Sequence, residues 1–258
     1  MREDLELARE CARRAARIVA GGFRSDFAAE FKGTVDPVTE VDHAAEDAIR
    51  MLLSAERPDD AVLGEERGGT GWESGRVWIV DPLDGTVNFL HGLAQVAVSV
   101  ALWENGEPRV GVVTDAIGGE EFSATAGGGS MLDGRLIRVS ELADVGGALV
   151  ATGFPYDRQE RAAELAAVLG RVLAEVQGIR RLGSAALDLC FVACGRFDAY
   201  WESRLHPWDT AAGQLIVTEA GGRVTDLSGA GHTPDATGIL ASNGAIHDRL
   251  LAVIGDGT

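Results

Sequence analysis

The sequence predicts a layered α/β protein, because its two halves carry different patterns of apolar residues. In the first half, valines alternate at positions 96, 98 and 100 and resume at 110 and 112 after a Glu-Asn-Gly-Glu turn, a pattern typical of a β-hairpin within a meander. In the second half, short apolar strands alternate with helical segments from residue 149 onward. Alternation of this kind favours layers of helix and sheet over a helical bundle or an all-β sandwich.

The first half begins with two predicted helices. Apolar residues recur at the helical period from Leu5 to Val19, until two glycines end the pattern. Thr39 and Asp42 form a capping pattern ahead of a second helix that continues to Leu53. Two short strands, at 61–63 and 77–80, each end in an acid-rich turn, and a further strand at 122–125 extends the meander.

The second half is predicted as strands separated by helices. In chain order these are a strand at 149–151, a helix at 160–176, a strand at 179–182, a helix at 184–194, a strand at 198–201, a helix at 207–220, a strand at 238–241 and a final helix from 245. No linker-like segment divides the chain, so we expect residues 1–258 to form one domain with two lobes, at about 1–145 and 146–258.

Composition excludes several classes of function. The formal net charge of −17 disfavours direct binding to nucleic acid or to an anionic membrane, because both depend on basic side chains that neutralise phosphate. No apolar run approaches the roughly 20 residues of a membrane span, and the first twenty residues are rich in charge, so we expect a cytoplasmic protein. The odd count of cysteines, at 11, 190 and 194, without CxxC spacing, indicates core residues rather than a disulfide or metal site.

Three acid-bearing turns are the candidate site. Asp81 and Asp84 follow a predicted strand, Glu65 follows another, and Asp209 opens a predicted helix. Carboxylate oxygens from separate turns are the ligands that Mg²⁺ prefers, and two Mg²⁺ ions would neutralise the four negative charges. Without metal, four converging carboxylates would repel one another.

Each of these pieces has a simpler interpretation when taken alone. Asp-Pro-Leu-Asp-Gly is typical of a turn, Gly-Glu-Glu of a solvated turn, and Asp209 of a helix N-terminal charge. Asp42 is accounted for by a capping box and Thr86 by a helix N-cap. Glu202 is accounted for as an exposed charge at a strand end. The combination, in this order and local sequence, favours a metal site.

In these motifs the chain resembles the inositol monophosphatase family of Mg²⁺-dependent, lithium-sensitive phosphatases. The resemblance rests on Trp78-Ile79-Val80-Asp81-Pro82-Leu83-Asp84-Gly85-Thr86-Val87-Asn88-Phe89, on Trp208-Asp209-Thr210-Ala211-Ala212-Gly213, on the upstream Gly64-Glu65-Glu66 and on the segment 179–190. It implies a layered α-β-α-β-α sandwich, with a larger antiparallel sheet in the first half and a smaller mixed sheet in the second. It also implies a homodimer.

The resemblance assigns roles to individual positions. It implies two or three Mg²⁺ ions held by Glu65, Asp81, Asp84, Asp209 and the backbone carbonyl of Leu83. It implies catalytic roles for Asp84 and for Thr86 backed by Asp42 and Glu65, and phosphate binding by the backbone N–H groups of Gly85 and Thr86. The substrate contacts that it implies are Asp84, Gly183, Ser184, Ala185, Glu202 and Asp209. Lys32 falls near a loop that contributes to metal binding in the family.

The predicted function is hydrolysis of myo-inositol 1-phosphate or a similar polyol monophosphate by metal-activated water. Three other substrates of the superfamily remain open: histidinol phosphate, fructose 1,6-bisphosphate and 3′-phosphoadenosine 5′-phosphate. A non-enzymatic role is the alternative from another class, since some bacterial relatives bind transcription or RNA-processing machinery.

Overall fold

The computed structural model describes residues 1–25, 29–31, 37–69 and 71–255, and Lys32 lies outside them. The described helices are α1 (Arg2–Gly22), α2 (Glu40–Glu56), α3 (Thr86–Leu90), α4 (Ala162–Leu173), α5 (Ala185–Ala193), α6 (Pro207–Glu219) and α7 (His247–Gly255). The strands are β1 (Ala29–Phe31), β2 (Pro37–Thr39), β3 (Ala61–Gly64), β4 (Arg76–Asp84), β5 (Ala97–Glu104), β6 (Glu107–Asp115), β7 (Glu121–Thr125), β8 (Gly129–Leu132), β9 (Arg135–Ile137), β10 (Leu149–Thr152), β11 (Gly178–Arg180), β12 (Ala199–Ser203), β13 (Arg223–Thr225) and β14 (Gly238–Ser242).

Strands β3 to β9 form a seven-stranded sheet in chain order, as expected for a meander. Every neighbouring pair in this sheet is antiparallel except β3 and β4, which are parallel, so the sheet is mixed at one edge. The smaller sheet has the order β11-β10-β12-β14-β13, with β10 parallel to both of its neighbours and the remaining pairs antiparallel. It is therefore mixed, as predicted.

The two sheets alternate with three helical layers. Helices α1 and α2 cover one face of the larger sheet, where the core includes Trp78, Val98 and Val112. Helices α5 and α6 fill the space between the sheets, and α4 and α7 cover the outer face of the smaller sheet. This arrangement is the predicted α-β-α-β-α sandwich, and the central layer packs against both sheets.

The observed elements differ from the predicted ones mainly at their ends. Strand β4 continues through the acid-rich turn to Asp84, because Asp81 and Asp84 still pair with Ser99 and Ala97 across an irregularity in the register. Strands β8, β9 and β13 and the pair β1–β2 had no counterpart in the prediction. Each is three or four residues long, too short to show a period of alternation.

Candidate active site

The irregular end of β4 presents the two carboxylates of the Asp-Pro-Leu-Asp turn. Asp81 is 1% exposed, and its Oδ1 accepts a hydrogen bond of 3.0 Å from the Leu83 N–H. Gly85 follows with a φ of 93°, a left-handed conformation that glycine adopts without strain. A side chain at Gly85 would also approach the Gln95 carbonyl oxygen to 2.7 Å, so the sharp exit from β4 needs glycine.

Asp84 is held by the second half of the chain. Its Oδ2 accepts hydrogen bonds from the Ser184 hydroxyl at 2.5 Å and from the Ala186 N–H at 2.8 Å, both at the start of α5. Ser184 is fully buried and also caps α5 by accepting a bond from the Leu187 N–H. Its hydroxyl therefore positions Asp84. Ser184 itself does not line the cleft, whereas the residues on either side of it, Gly183 and Ala185, do.

Thr86 lies between Asp42 and the turn. Its hydroxyl is 3.3 Å from Asp42 Oδ1 and 3.1 Å from the Leu83 carbonyl oxygen. The other oxygen of Asp42 accepts bonds from the backbone N–H and hydroxyl of Thr39, so the capping-box interpretation is correct. Asp42 serves both contacts, because each of its oxygens faces a different partner. The N-cap of α3 is Gly85 rather than Thr86, so the N-cap interpretation of Thr86 is wrong.

Glu65 lies on a turn that a buried acid supports from below. Glu46 is 0% exposed on α2, and its two oxygens accept hydrogen bonds from the Glu66 N–H at 2.7 Å and the Arg67 N–H at 3.1 Å. Arg50, one helical turn along, donates to Glu46 at 2.7 Å and neutralises its charge. This arrangement fixes the backbone that carries Glu65.

Asp209 stands at the start of α6, where its Oδ2 accepts a hydrogen bond of 2.6 Å from the His206 N–H as part of a capping box. The Trp208 carbonyl accepts a bond from Ser99 on β5 at 3.3 Å. The start of α6 is thus tied to the larger sheet, which brings Asp209 to the same cleft as Asp84.

Glu202 also lines the cleft, from strand β12. Its Oε2 accepts a hydrogen bond of 2.5 Å from the hydroxyl of Tyr200, which is fully buried. Burial raises the pKa of Glu202 to about 7, although the Tyr200 hydrogen bond opposes the shift. The interpretation of Glu202 as an exposed charge is therefore wrong.

The cleft has a volume of about 380 Å³ and collects most of the predicted residues. Its lining includes Glu65, Asp84, Gly85, Thr86, Gly183, Ala185, Glu202 and Asp209. The other predicted residues, Asp42, Asp81, Leu83 and Ser184, are buried beside it and contact residues of the lining or its supporting turn.

Electrostatics distinguish this cleft from an ordinary acidic turn. Burial, followed by the charges of Glu65, Asp84 and Asp209, raises the pKa of Asp81 well above its usual value. Burial and the charge of Asp84 raise the pKa of Asp209 in the same direction. The pKa of Asp84 is also raised by burial, against the hydrogen bonds from Ser184 and Ala186. These carboxylates oppose one another's ionisation, and a cation would relieve the repulsion.

The donor set fits Mg²⁺ by chemistry. Carboxylate oxygens and the Leu83 carbonyl are hard ligands, and Mg²⁺ completes its shell with water rather than with a closed cage of protein groups. Within the described residues, no group of three or more acidic, histidine or cysteine side chains is arranged to hold a metal ion as it stands.

Sequence reasoning missed two residues that support the site, Glu46 and Asn88, and one buried acid near it, Asp188. Glu46 appears in the sequence as an acid on the apolar face of α2, four residues after Asp42, which is the signal that could have found it. Asn88 donates to the carbonyls of Gln95 and Leu182 and so ties the first motif to the segment between β11 and α5. Asp188 is 1% exposed, and its Oδ1 has no hydrogen-bond partner among the described residues.

The fold and this cleft place the chain in a known class. A model of the inositol monophosphatase family matches residues 1–257, and the chain belongs to that family. The match covers both sheets and every residue of the candidate site.

Individual relatives agree along the full length of the chain. The chain is 41% identical to the Nus factor SuhB of Escherichia coli K12, over 98% of this chain and 96% of the relative. It is 40% identical to the chloroplastic phosphatase IMPL1 of Arabidopsis thaliana, over 98% of this chain and 70% of the relative. Together with the family match, these relatives support a phosphatase of this superfamily.

Solved structures show the same fold. The extragenic suppressor protein suhB from Bartonella henselae superposes with a TM-score of 0.94 at 38% identity, covering 99% of this chain and 100% of the other. Inositol monophosphatase from Anabaena (Nostoc) sp. PCC 7120 superposes with a TM-score of 0.88 at 36% identity, covering 100% of this chain and 97% of the other. No helix among the described residues is long and apolar enough to cross a membrane.

Proposed function

We propose that this protein is a Mg²⁺-dependent phosphomonoesterase that hydrolyses myo-inositol 1-phosphate or a similar polyol monophosphate. The observation that carries the proposal is the convergence of Glu65, Asp84 and Asp209 on one cleft, beside the buried Asp81, whose pKa the charges of the other three raise. Membership of the inositol monophosphatase family supports the same activity. The proposal includes the family's homodimer, lithium sensitivity and a cytoplasmic location.

Glu65, Asp81, Asp84, Asp209 and the Leu83 carbonyl would hold two or three Mg²⁺ ions. Bound there, Mg²⁺ would neutralise the phosphate and lower the pKa of a coordinated water. In the proposal, Thr86 accepts a proton from the attacking water while it donates its own to Asp42 Oδ1, which lies 3.3 Å away. The raised pKa of Asp42, which burial causes, suits it to receive that proton.

The substrate is held by groups on both sides of the cleft. The N–H groups of Gly85 and Thr86 are proposed to bind phosphate oxygens, because the left-handed Gly85 allows close backbone approach. Gly183, Ala185 and Glu202 are proposed to contact the leaving alcohol, and the Glu202 carboxyl suits ring hydroxyls as partners. Ser184 acts in the proposal through Asp84.

The test is phosphate release from myo-inositol 1-phosphate with Mg²⁺, compared between the wild type and Asp84→Asn. We expect the substitution to lower kcat at least 10³-fold, by analogy with the loss of a principal electrostatic group, while the thermal transition is retained. Asp248→Asn is the matched control, because the Asp248 side chain is 83% exposed and far from the cleft in its contacts. An Asp84→Asn protein with wild-type, metal-dependent turnover would refute the proposal.

A second candidate function is a role as a Nus factor, because bacterial relatives about 41% identical carry that name. The function would reside in a surface that recognises protein rather than in the metal chemistry. Capture of partners from a bacterial lysate by the wild type and by Asp84→Asn separates the two roles. Equal capture by both proteins, together with loss of turnover in the variant alone, is the result expected if both functions coexist.

A further inference from the structure

Tyr200 and Glu202 lie on the same face of strand β12. They are two residues apart, and side chains along a strand point alternately to its two faces. Tyr200 belongs to the core between the two sheets, whereas Trp201, which lies between them in the chain, belongs to the core under α4 and α7. The strand therefore places a fully buried hydroxyl next to a carboxyl that lines the cleft.

The Tyr200 hydroxyl acts as a hydrogen-bond donor to Glu202. Burial, followed by the charges of Glu202 and Asp188, raises the pKa of Tyr200 well above its usual value, so the hydroxyl keeps its proton. A phenol has one proton to donate, and Tyr200 donates it to Glu202 Oε2 at 2.5 Å. The other oxygen of Glu202, Oε1, accepts no hydrogen bond from the residues that the structure describes. Oε1 is thus the oxygen left for a ligand.

Gly153 provides the space that the Glu202 carboxyl occupies. It follows β10, which pairs in parallel with β12, and the register of Thr152 with Trp201 brings Gly153 beside Glu202. A side chain at Gly153 would begin 1.8 Å from Glu202 Oε2 and 2.3 Å from Oε1. Gly153 does not have a positive φ, so glycine is needed here for space and not for backbone conformation.

We propose that Tyr200 and Gly153 are positioning residues that fix the Glu202 carboxyl, so that Oε1 accepts a hydroxyl of the leaving alcohol. The inference rests on the proposed phosphatase function and adds two residues that were not among the predicted site residues. A glutamate that is already held in one orientation loses less side-chain freedom when the substrate binds, and this strengthens binding.

The competing explanation is that Tyr200 only fills the core. In that case, removing its hydroxyl would lower stability and would affect all substrates alike. A positioning role instead predicts a loss confined to substrates whose leaving alcohol carries hydroxyls, and a loss that depends on the presence of Glu202.

The experiment is a double-mutant cycle on phosphate release from myo-inositol 1-phosphate with Mg²⁺. The proteins are the wild type, Tyr200→Phe, Glu202→Ala and the variant with both substitutions. We expect Tyr200→Phe to raise KM by about fivefold or more, with kcat within about twofold of the wild type. In the Glu202→Ala background, adding Tyr200→Phe should change KM by less than about twofold, because no carboxyl remains to be positioned.

Gly153→Ala is the second test variant. It displaces the Glu202 carboxyl without removing any polar group, and the end of a flexible side chain can move aside while the fold is kept. We expect KM to rise as in Tyr200→Phe. Ser130→Ala is the matched control, because it also removes a fully buried hydroxyl, one that donates to the Ile216 carbonyl at 2.6 Å outside the cleft lining. Its KM should equal that of the wild type.

The same proteins are assayed with p-nitrophenyl phosphate, whose leaving group carries no other hydroxyl. We expect kcat/KM of Tyr200→Phe for this substrate to stay within about twofold of the wild type. Equal losses on both substrates would overturn the positioning role, and so would a full effect of Tyr200→Phe in the Glu202→Ala background. Absence of phosphate release from both substrates by the wild type would instead refute the phosphatase function itself.

Discussion

Asp81 is a carboxyl that the fold buries among charges of its own sign. It is 1% exposed, and burial together with Glu65, Asp84 and Asp209 raises its pKa well above the ordinary value. When the pKa of a carboxyl is higher in the folded state than in the unfolded state, its contribution to stability is fully present only below the unfolded pKa and decreases above it. The stabilisation is lost as pH rises through the folded pKa.

Asp81→Asn is therefore expected to stabilise the metal-free protein. In EDTA, the gain should be negligible near pH 4 and should grow towards pH 8, to on the order of 1–3 kcal/mol in unfolding free energy. The amide oxygen can still accept the Leu83 N–H bond that Asp81 accepts now. Thermal transitions measured from pH 4 to pH 8 test this expectation, with Asp248→Asn as the exposed control.

Added Mg²⁺ should reverse the order of stability, because only the wild type keeps the full carboxylate set. An Asp81→Asn protein less stable than the wild type at pH 8 in EDTA would contradict the explanation.

At single residues, the sequence indicated candidate acidic side chains but not the partners that they contact. For Asp42 a capping box was the alternative to the catalytic role that the resemblance implies, and the structure shows a separate partner for each oxygen. The bond from Ser184 to Asp84 spans 100 positions, and no local pattern in the sequence signals such a contact. Long-range partners of this kind follow from packing, which periodicity does not encode.

At the scale of elements, helix α2 supports the Glu65 turn through a single buried acid. Glu46 accepts from two backbone N–H groups of that turn and from Arg50. A side chain at Gly64 would collide with the Glu46 carboxylate, so the turn and the helix are fitted closely.

Glu46→Gln is expected to weaken the use of Mg²⁺. The glutamine amide has no negative charge and only one acceptor oxygen, whereas Glu46 uses both of its oxygens to hold the turn. The Glu65 turn should therefore loosen, and the Mg²⁺ concentration that gives the half-maximal rate should rise about 10-fold or more. Glu56→Gln is the matched control, because Glu56 also belongs to α2 and its side chain is exposed. A folded Glu46→Gln protein with unchanged Mg²⁺ dependence would show that the turn needs no such support.

Elements with strong periodicity were predicted well and short ones were not. The amphipathic helices α1 and α2 and the valine-rich hairpin β5–β6 were predicted because each repeats its pattern over several turns or residues. Strands β9 and β13 are three residues long and take their structure from neighbouring strands. The extension of β4 to Asp84 was missed because its turn residues favour a loop when considered alone.

At the scale of the whole molecule, the larger sheet and α6 approach each other at a glycine. A side chain at Gly111 on β6 would lie 2.7 Å from the carbonyl oxygen of Ala212, which is backbone and cannot rotate aside. We expect Gly111→Ala to lower the free energy of unfolding by about 1–3 kcal/mol, measured by urea unfolding.

Gly170→Ala provides the matched comparison. Gly170 lies within α4 and has nothing within 4 Å of an added side chain, so alanine should raise stability by about 0.5–1 kcal/mol through helix propensity. Equal effects of the two substitutions would refute the close-approach explanation.

The order of the layers came from family resemblance rather than from periodicity. Alternating patterns predicted helices and strands, yet many arrangements satisfy them. The central position of α5 and α6 depends on both of their faces being apolar, and in α5 eight of nine residues are buried. A helix that is apolar on all sides is buried on all sides, as it is between two sheets. The sequence contains this pattern, but a search for helices with a single apolar face does not detect it.

The bond between Ser184 and Asp84 has a consequence for how the chain can be divided. One partner ends a strand of the larger sheet, and the other begins a helix packed on the smaller sheet. We infer that the lobes predicted at about 1–145 and 146–258 do not function independently of each other. The cleft takes residues from both halves, so we expect neither half alone to be active. If the chain is split near residue 145, activity should return only when the two halves associate.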